Sequence, residues 1–209
     1  MAESRKSKKA FETFINGVWK DHPVFSMLLG ICSALALSNK VENAIAMGAG
    51  VTFVLLATAI LISGLRKIIP NRIRMIVFMI TIASFVIIVD RFLKAYFPDI
   101  AASIGAYVGL IITNCIIMGR AEAFYVQNNT GLSIIDALAN GFAYTYTLVS
   151  IAAIREILGF GTLLGMNVIP PWWPFEKAPW VVMTMAPGAF FLLSLFIWIS
   201  RSISKMESE

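Results

Sequence analysis

Two cysteines offer the most distinctive chemistry in this chain. Cys32 follows Gly30 after one intervening residue, Cys115 follows Asn114 directly, and the chain contains no other cysteine. Each thiol can be read as a small buried apolar side chain, which is common for a free cysteine. Alternatively, the two thiols are metal ligands. An iron–sulfur cluster takes four thiolates, so a second chain would have to supply the other two.

Three carboxylates form a second group of interest. Asp90, Asp136 and Glu156 each lie beside or inside an apolar run. A charged side chain at membrane depth is costly unless it faces a cavity or a partner, so these residues are candidates for an ion path. Carboxylate oxygens suit a hard cation such as Na+. The alternative is that each carboxylate lies at the membrane interface and only caps or orients a helix.

The composition predicts that lipid surrounds much of the chain. Of its 209 residues, 58% are apolar and 14% are charged, whereas soluble domains are about a quarter charged. The net charge of +5 comes from basic residues that flank the apolar runs and form no basic face, so no nucleic-acid partner is expected. Glycine-rich motifs for dinucleotides or phosphates are also absent from the sequence.

Six apolar runs without an ionisable residue predict six transmembrane spans in an all-α integral membrane protein. A helical crossing takes ~20 residues, and the third run reaches this length if it is extended from Asp90 through Phe97. Most of the 17 basic residues fall on one side of the resulting topology, which predicts that both termini are cytoplasmic. The runs cover residues 23–39, 44–65, 75–89, 100–119, 137–154 and 178–200.

The six spans divide into two three-span repeats, residues 23–99 and 100–200, between cytoplasmic tails at 1–22 and 201–209. An odd number of spans per repeat places the second repeat upside down relative to the first, as in many transporters. Cys32 and Cys115 each lie in the first span of a repeat. Because Gly30 interrupts the first span, and because broken helices are typical of such repeats, we expect the first span of each repeat to be broken into half-helices.

Several motifs identify a family. The segment 108–124, with Thr113-Asn114-Cys115 at its centre, resembles the fourth span of the D subunit of Na+-translocating NADH:quinone oxidoreductases. Residues 29–36, around Cys32, resemble the first span of the same subunits. Residues 155–159 and 186–191 are also similar. The E subunit of the Rnf complex, a ferredoxin:NAD+ oxidoreductase, shares the Thr-Asn-Cys motif and is the closest alternative.

The resemblance implies a shared metal site. In this family the D subunit pairs with a homologous E-type subunit as an inverted pseudo-twin, and each contributes two cysteines to one intramembrane [2Fe–2S] cluster. Cys32 and Cys115 match those positions. The chain would then be one electron-relay and Na+-translocating part of a six-subunit complex in the bacterial inner membrane. Other subunits of that complex carry the FMN, FAD, riboflavin and quinone sites. A secondary carrier with inert cysteines is the alternative from a different class.

Overall fold

A computed structural model describes residues 29–66, 68–70, 72–160, 162–163, 166–167 and 185–206. The predicted amino-terminal tail (1–22), the beginnings of the first and sixth predicted spans (23–28 and 178–184) and residues 207–209 of the carboxyl-terminal tail lie outside this part of the chain. Within it, the architecture is helical, with one additional pair of two-residue strands.

A short helix precedes the first two long helices, and three more short helices separate these from the last two long ones. A 3-10 turn and a π-helical turn lie on either side of the two shortest helices, and the two strands pair antiparallel after the longest helix. In chain order the elements are α1 (Ile31–Leu37), α2 (Val41–Leu65), α3 (Arg74–Tyr96), α4 (Pro98–Ile104), the 3-10 turn (Gly105–Tyr107), α5 (Gly109–Ile112), α6 (Cys115–Arg120), the π-helical turn (Ala121–Tyr125), α7 (Thr130–Phe160), β1 (Thr162–Leu163), β2 (Met166–Asn167) and α8 (Ala186–Met206).

Three of the described helices are long and apolar enough to cross a membrane, namely α2, α3 and α7. They correspond to the second, third and fifth predicted spans, and α3 ends at Tyr96, one residue before the end of the predicted extension. A shorter apolar stretch, Pro187–Ile199, lies within α8. The structure therefore confirms an α-helical protein with membrane-spanning helices. The number of crossings made by the other segments stays a prediction.

α7 is longer than its apolar run. The run covers residues 137–154, whereas the helix comprises Thr130–Phe160. Asp136, Arg155 and Glu156 bound the run in the sequence but lie inside the helix, where all three side chains are buried. Each of them has a polar partner on another element, so the helix continues through these charges.

The core lies between α2 and α7, which make the most extensive helix–helix contact. Val51 and Leu55 of α2 and Leu148 of α7 are fully buried there. α3 packs on α2 but leaves large apolar side chains such as Ile76 and Ile80 more than half exposed. A surface of this kind is suited to lipid or to another membrane protein, because exposing it to water would be unfavourable.

Two glycine–threonine pairs set the distance between α2 and α7. A Cβ atom added to Gly48 would lie 2.6 Å from Cγ2 of Thr145, and one added to Gly141 would lie 2.7 Å from Cγ2 of Thr52. Small residues allow membrane helices to approach closely in this way. Because residue numbers rise along α2 as those of their partners fall along α7, the helices run antiparallel. Each helix contributes one glycine and one threonine, so exchanging α2 and α7 would convert one pair into the other.

Candidate functional site

Cys32 lies at the beginning of α1, and the residue that precedes this helix has to be glycine. Gly30 precedes α1 and has a φ of 79°, in the left-handed region that favours glycine. A Cβ atom at this position would lie 2.6 Å from Cδ1 of Ile116 and 3.0 Å from Cε2 of Tyr144. Both the backbone conformation and the lack of space therefore require glycine, and Cys32 follows in the first turn of α1.

The second cysteine follows a break in a helix. α5 ends at Ile112 and α6 begins at Cys115, with Thr113 and Asn114 between them. The Asn114 side chain accepts a hydrogen bond from the backbone N–H of Ile116 at 3.1 Å, so it caps the new helix. This break is the one predicted for the first span of the second repeat. In the first repeat, the described residues include only the half-helix after Gly30.

The two helix beginnings meet. The backbone N–H of Gly30 donates a hydrogen bond to Sγ of Cys115. Hydrogen bonds to cysteine sulfurs are among the interactions that set the reduction potential of iron–sulfur clusters. Cys32 is exposed and Cys115 is partly exposed in the isolated chain. The Cys115 sulfur therefore has a hydrogen bond within the chain, whereas Cys32 lies at the surface of the isolated chain.

A buried hydrogen-bond network lies beside the contact between Gly30 and Cys115. The Ser33 and Tyr144 hydroxyls lie 2.5 Å apart, and Ser33 also donates to the carbonyl of Gly30 at 3.0 Å. Asn114 Nδ2 donates to Ser33 Oγ at 3.5 Å. Ser33, Asn114 and Tyr144 are all nearly inaccessible. The network ties α1, the α5–α6 break and α7 together beside the cysteines.

The donor set fits half of an iron–sulfur centre. In the part of the chain that the structure describes, no three His, Cys, Asp or Glu side chains cluster as a complete metal site. Two thiols on converging helix ends, one of them exposed, supply two of the four thiolates that a [2Fe–2S] cluster takes. The remaining two would have to come from another chain that covers Cys32.

The predicted carboxylates do not form one cluster. Asp136 is fully buried and makes a two-point ion pair with Arg120, in which Nε lies 3.0 Å from Oδ2. Glu156 accepts a hydrogen bond from the backbone N–H of Val41 at 2.9 Å, so it caps the beginning of α2. Asp136 and Glu156 are on the same helix, about 30 Å apart along its axis at 1.5 Å per residue.

Asp90 lies at the surface of the described structure. Its carboxylate pairs with Lys94 at 2.7 Å, one turn further along α3, and both side chains are accessible. An exposed pair of this type contributes little to stability. For Asp90 and Glu156, the geometry thus matches the alternative interpretation from the sequence, in which a carboxylate orients a helix. Asp136 and Glu156 are both buried, at 0% and 6% exposure, and they differ in their partners: Asp136 pairs with a guanidinium and Glu156 caps a helix.

Two important side chains were not identified from the sequence. Arg120 directly follows an apolar run, which is the usual position of a boundary residue, yet it is 5% exposed, pairs with Asp136 and places its guanidinium 5.4 Å from the centre of the Phe124 ring. Tyr144 was not singled out among the aromatic residues. The only available signal for Arg120 was its position one residue after the end of an apolar run, which also describes ordinary boundary residues.

Arg155 connects three segments. Its guanidinium donates to Ser38 Oγ at 2.5 Å and to the carbonyl oxygens of Leu35 and Met185 at 3.3 Å each. The carbonyl of Leu35 is among those left without a partner at the end of α1, so Arg155 satisfies a helix terminus. It also anchors the beginning of α8 to α7. Its role in this structure is therefore to hold the cysteine-bearing helix in place.

Long apolar helices, the break before Cys115 and the glycine-initiated helix that carries Cys32 define a multi-pass membrane protein with two thiols at helix beginnings. Comparison with known proteins narrows this class. A family model described as "Rnf-Nqr subunit, membrane protein" matches residues 10–197, and the chain belongs to this family.

The similar curated proteins are D subunits. The chain is 42% identical to the D subunit of the Na(+)-translocating NADH-quinone reductase of Chlamydia felis, over 100% of both chains. It is 42% identical to the Chlamydia pneumoniae protein of the same name over 94% of each chain. Identity to the Photobacterium profundum protein is 41%, over 100% of this chain and 99% of the relative. The resemblance to D subunits inferred from the motifs is thus confirmed.

Proposed function

We propose that this chain is the D subunit of a Na+-translocating NADH:quinone oxidoreductase, and that Cys32 and Cys115 supply half of the ligands of a shared [2Fe–2S] cluster. The observation that carries the proposal is the meeting of the two cysteine-bearing helix ends, where the Gly30 N–H donates to Cys115 Sγ. The full-length similarity to D subunits supports the assignment to this complex.

The other half of the site comes from a homologous E-type subunit. Exposure of the Cys32 thiol supports this, because a ligand that faces outward needs a partner to enclose it. In the proposed complex, further subunits carry FMN, FAD, riboflavin and quinone. This chain is therefore part of an enzyme and is not catalytic alone.

The residues around the cysteines fix and insulate the site. Gly30, Asn114 and Tyr144 determine where the two helices begin, so the sulfurs are positioned before any metal binds. When bound, the cluster would supply one-electron transfer. The fully buried Ile116 side chain packs against Gly30, so the surroundings of the helix beginnings are apolar, and a low dielectric constant increases the energetic effect of each change in charge.

We extend the proposal to the topology of six spans in two inverted repeats with cytoplasmic termini. The two reciprocal contacts between Gly48 and Thr145 and between Gly141 and Thr52 support it. Antiparallel helices in equivalent positions of inverted repeats are expected to exchange contacts in this manner.

Among the three candidate ion-path residues, Asp136 is best supported. It is the carboxylate with no exposure, and it lies in the helix that forms half of the core. Asp90 and Glu156 stay in the proposal as flanking acidic groups, at the surface pair with Lys94 and at the beginning of α2.

Removal of either thiol tests the cluster. In the co-purified membrane complex, we expect Cys32→Ser and Cys115→Ser each to lose about two irons per complex and one paramagnetic signal of a reduced cluster. The reason is that each variant removes one of the two ligands that this chain contributes, so the cluster is left incomplete. Metal analysis and electron paramagnetic resonance on preparations with all subunits present provide the measurement.

Matched controls lie next to both thiols. Ala36→Ser adds a hydroxyl one turn after Cys32, and Thr113→Ser shortens an exposed side chain beside Cys115. Both should retain iron. Unchanged iron and an unchanged signal in the cysteine variants would remove these residues from any cluster and favour the carrier alternative. NADH-driven quinone reduction by the same preparation separates the proposed complex from an Rnf-type complex.

A further inference from the structure

A chain of hydrogen bonds leads from α7 to the sulfur of Cys115. The Tyr144 and Ser33 hydroxyls lie 2.5 Å apart, and Ser33 Oγ donates to the carbonyl oxygen of Gly30 at 3.0 Å. The backbone N–H of Gly30 in turn donates to Cys115 Sγ at 2.7 Å. Tyr144 and Ser33 are buried, so bulk water does not compete for these bonds. The residue that reaches the sulfur is therefore held at its own carbonyl by a buried side chain.

The direction of each bond in this chain follows from the number of protons. A serine hydroxyl has one proton, and Ser33 gives it to the Gly30 carbonyl. The hydrogen bond between the two hydroxyls therefore requires Tyr144 to be the donor. A hydroxyl that accepts a hydrogen bond becomes a better donor, because successive bonds polarise one another. Tyr144 thus strengthens the bond by which Ser33 holds Gly30.

Gly30 benefits from this tether because glycine is conformationally free. Glycine adopts positive and negative φ about equally well, and Gly30 has a φ of 79° directly before α1. Its carbonyl also accepts the backbone N–H of Ala34 at 3.2 Å, but that bond lies within the first turn of α1 itself. The Ser33 bond differs, because Ser33 is also bonded to Tyr144 on α7. It therefore fixes Gly30 relative to the core.

Asn114 ties the sulfur side of the contact to the same serine hydroxyl. Its Nδ2 donates to Ser33 Oγ at 3.5 Å, while its Oδ1 accepts the backbone N–H of Ile116 at 3.1 Å. Asn114 directly precedes Cys115 in the chain. Ser33 Oγ is therefore bonded to Gly30, which donates to the sulfur, and to the residue next to the sulfur that accepts. A shift of this hydroxyl would change the N–H···S geometry from both sides.

The N–H···S bond affects electron transfer because its strength depends on charge. A hydrogen bond is stronger when its acceptor is negatively charged, and reduction by one electron adds negative charge to a thiolate-bound cluster. The Gly30 N–H therefore stabilises the reduced state more than the oxidised state. Ile116 is fully buried and packs against Gly30, and the low local dielectric constant increases this difference.

We infer that Tyr144 and Ser33 are positioning residues that raise the reduction potential of the cluster by holding the Gly30 N–H on Cys115 Sγ. Their effect reaches the sulfur through Gly30. This inference rests on the proposed role of Cys32 and Cys115 as cluster ligands, and it names the residues that set the potential of that site.

Removal of one hydroxyl at a time tests this role. Electron paramagnetic resonance of the purified complex during a reductive titration gives the midpoint of the signal that is lost in Cys115→Ser. In Tyr144→Phe and in Ser33→Ala, we expect the ratio of reduced to oxidised cluster at a fixed ambient potential to fall about three- to tenfold. For a one-electron couple, this moves the midpoint by about 30–60 mV to more negative values. Iron content should equal that of the wild type, and Tyr146→Phe, at an exposed position of α7, should leave the midpoint unchanged.

The double variant Ser33→Ala/Tyr144→Phe separates an indirect effect from a direct one. If Tyr144 acts through Ser33, the double variant should shift the midpoint no further than Ser33→Ala alone. A purely structural hydrogen bond would lower the unfolding temperature and leave the midpoint unchanged. An unchanged midpoint in both single variants, an additive shift in the double variant, or loss of iron from both single variants would each overturn the positioning role. Retention of iron and of every signal in Cys115→Ser would instead contradict the proposed cluster, so the two failures are distinguishable.

Discussion

At the scale of single residues, the hydroxyl of Tyr144 links the cysteine-bearing helix to the core. It lies 2.5 Å from Ser33 Oγ in a fully buried position. We expect Tyr144→Phe to destabilise the protein by about 0.5–1.5 kcal/mol, because one buried hydrogen bond is lost while the ring remains. Thermal unfolding in detergent measures this change. Tyr146→Phe, on the same helix but 61% exposed, should leave the unfolding temperature unchanged.

The sequence singled out Cys32 and Cys115 as candidate metal ligands, but it did not indicate that Arg120 is the partner of the buried Asp136. Cys32 and Cys115 stand out because the chain has only these two thiols, each within an apolar run. Arg120 and Asp136 lie on different helices, and only the packing of α6 against α7 brings them together. Their separation in the sequence has no helical period, so no local pattern could indicate the pair. The assignment of the cysteines to a cluster stays a prediction.

At the scale of elements, the crossing of α2 and α7 should tolerate no added methyl group. We expect Gly48→Ala and Gly141→Ala each to destabilise the protein by about 1–3 kcal/mol, since the new Cβ would overlap a threonine, whose short β-branched side chain is stiff at χ1. Thermal unfolding of the purified complex is the measurement.

Other positions in the same two helices serve as controls for this prediction. Nothing lies within 4 Å of a Cβ added at Gly64 or Gly131, so alanine there should be neutral or slightly stabilising. In addition, Thr145→Gly should restore part of the stability lost in Gly48→Ala. If alanine at Gly48 and at Gly64 had the same effect, close helix approach would not be the cause.

Helix breaks were easier to predict than helix lengths. Gly30, together with the expected repeat, indicated half-helices, and the structure contains the break before Cys115 and the left-handed residue before α1. The length of α7 was underestimated because the charges that flank the run, Asp136 on one side and Arg155 with Glu156 on the other, were treated as limits of the span. A charge limits a span only if it must reach water. Both carboxylates instead find partners on other elements, which the sequence does not reveal.

At the scale of the whole molecule, the distribution of basic residues predicts cytoplasmic termini. We expect a green fluorescent protein fused after residue 209 to fluoresce in intact bacteria, and alkaline phosphatase fused at the same position to be inactive, because the phosphatase folds only in an oxidising compartment. As a reciprocal control, phosphatase inserted after residue 165 should be active, because this position lies between the fifth and sixth predicted spans and is therefore on the outer side in this topology. Active phosphatase at residue 209 would contradict the orientation.

The reciprocal crossing of α2 and α7 also determines which large motions are accessible. If either helix slid by one turn in one direction, Thr52 would lie against Thr145 and the two threonines would collide. A slide in the opposite direction would place Gly48 against Gly141 and open a void. Sliding is therefore disfavoured in both directions, whereas a change in the crossing angle leaves both contacts in place. Among hinge and shear motions, the fold selects rocking about a fixed point of contact.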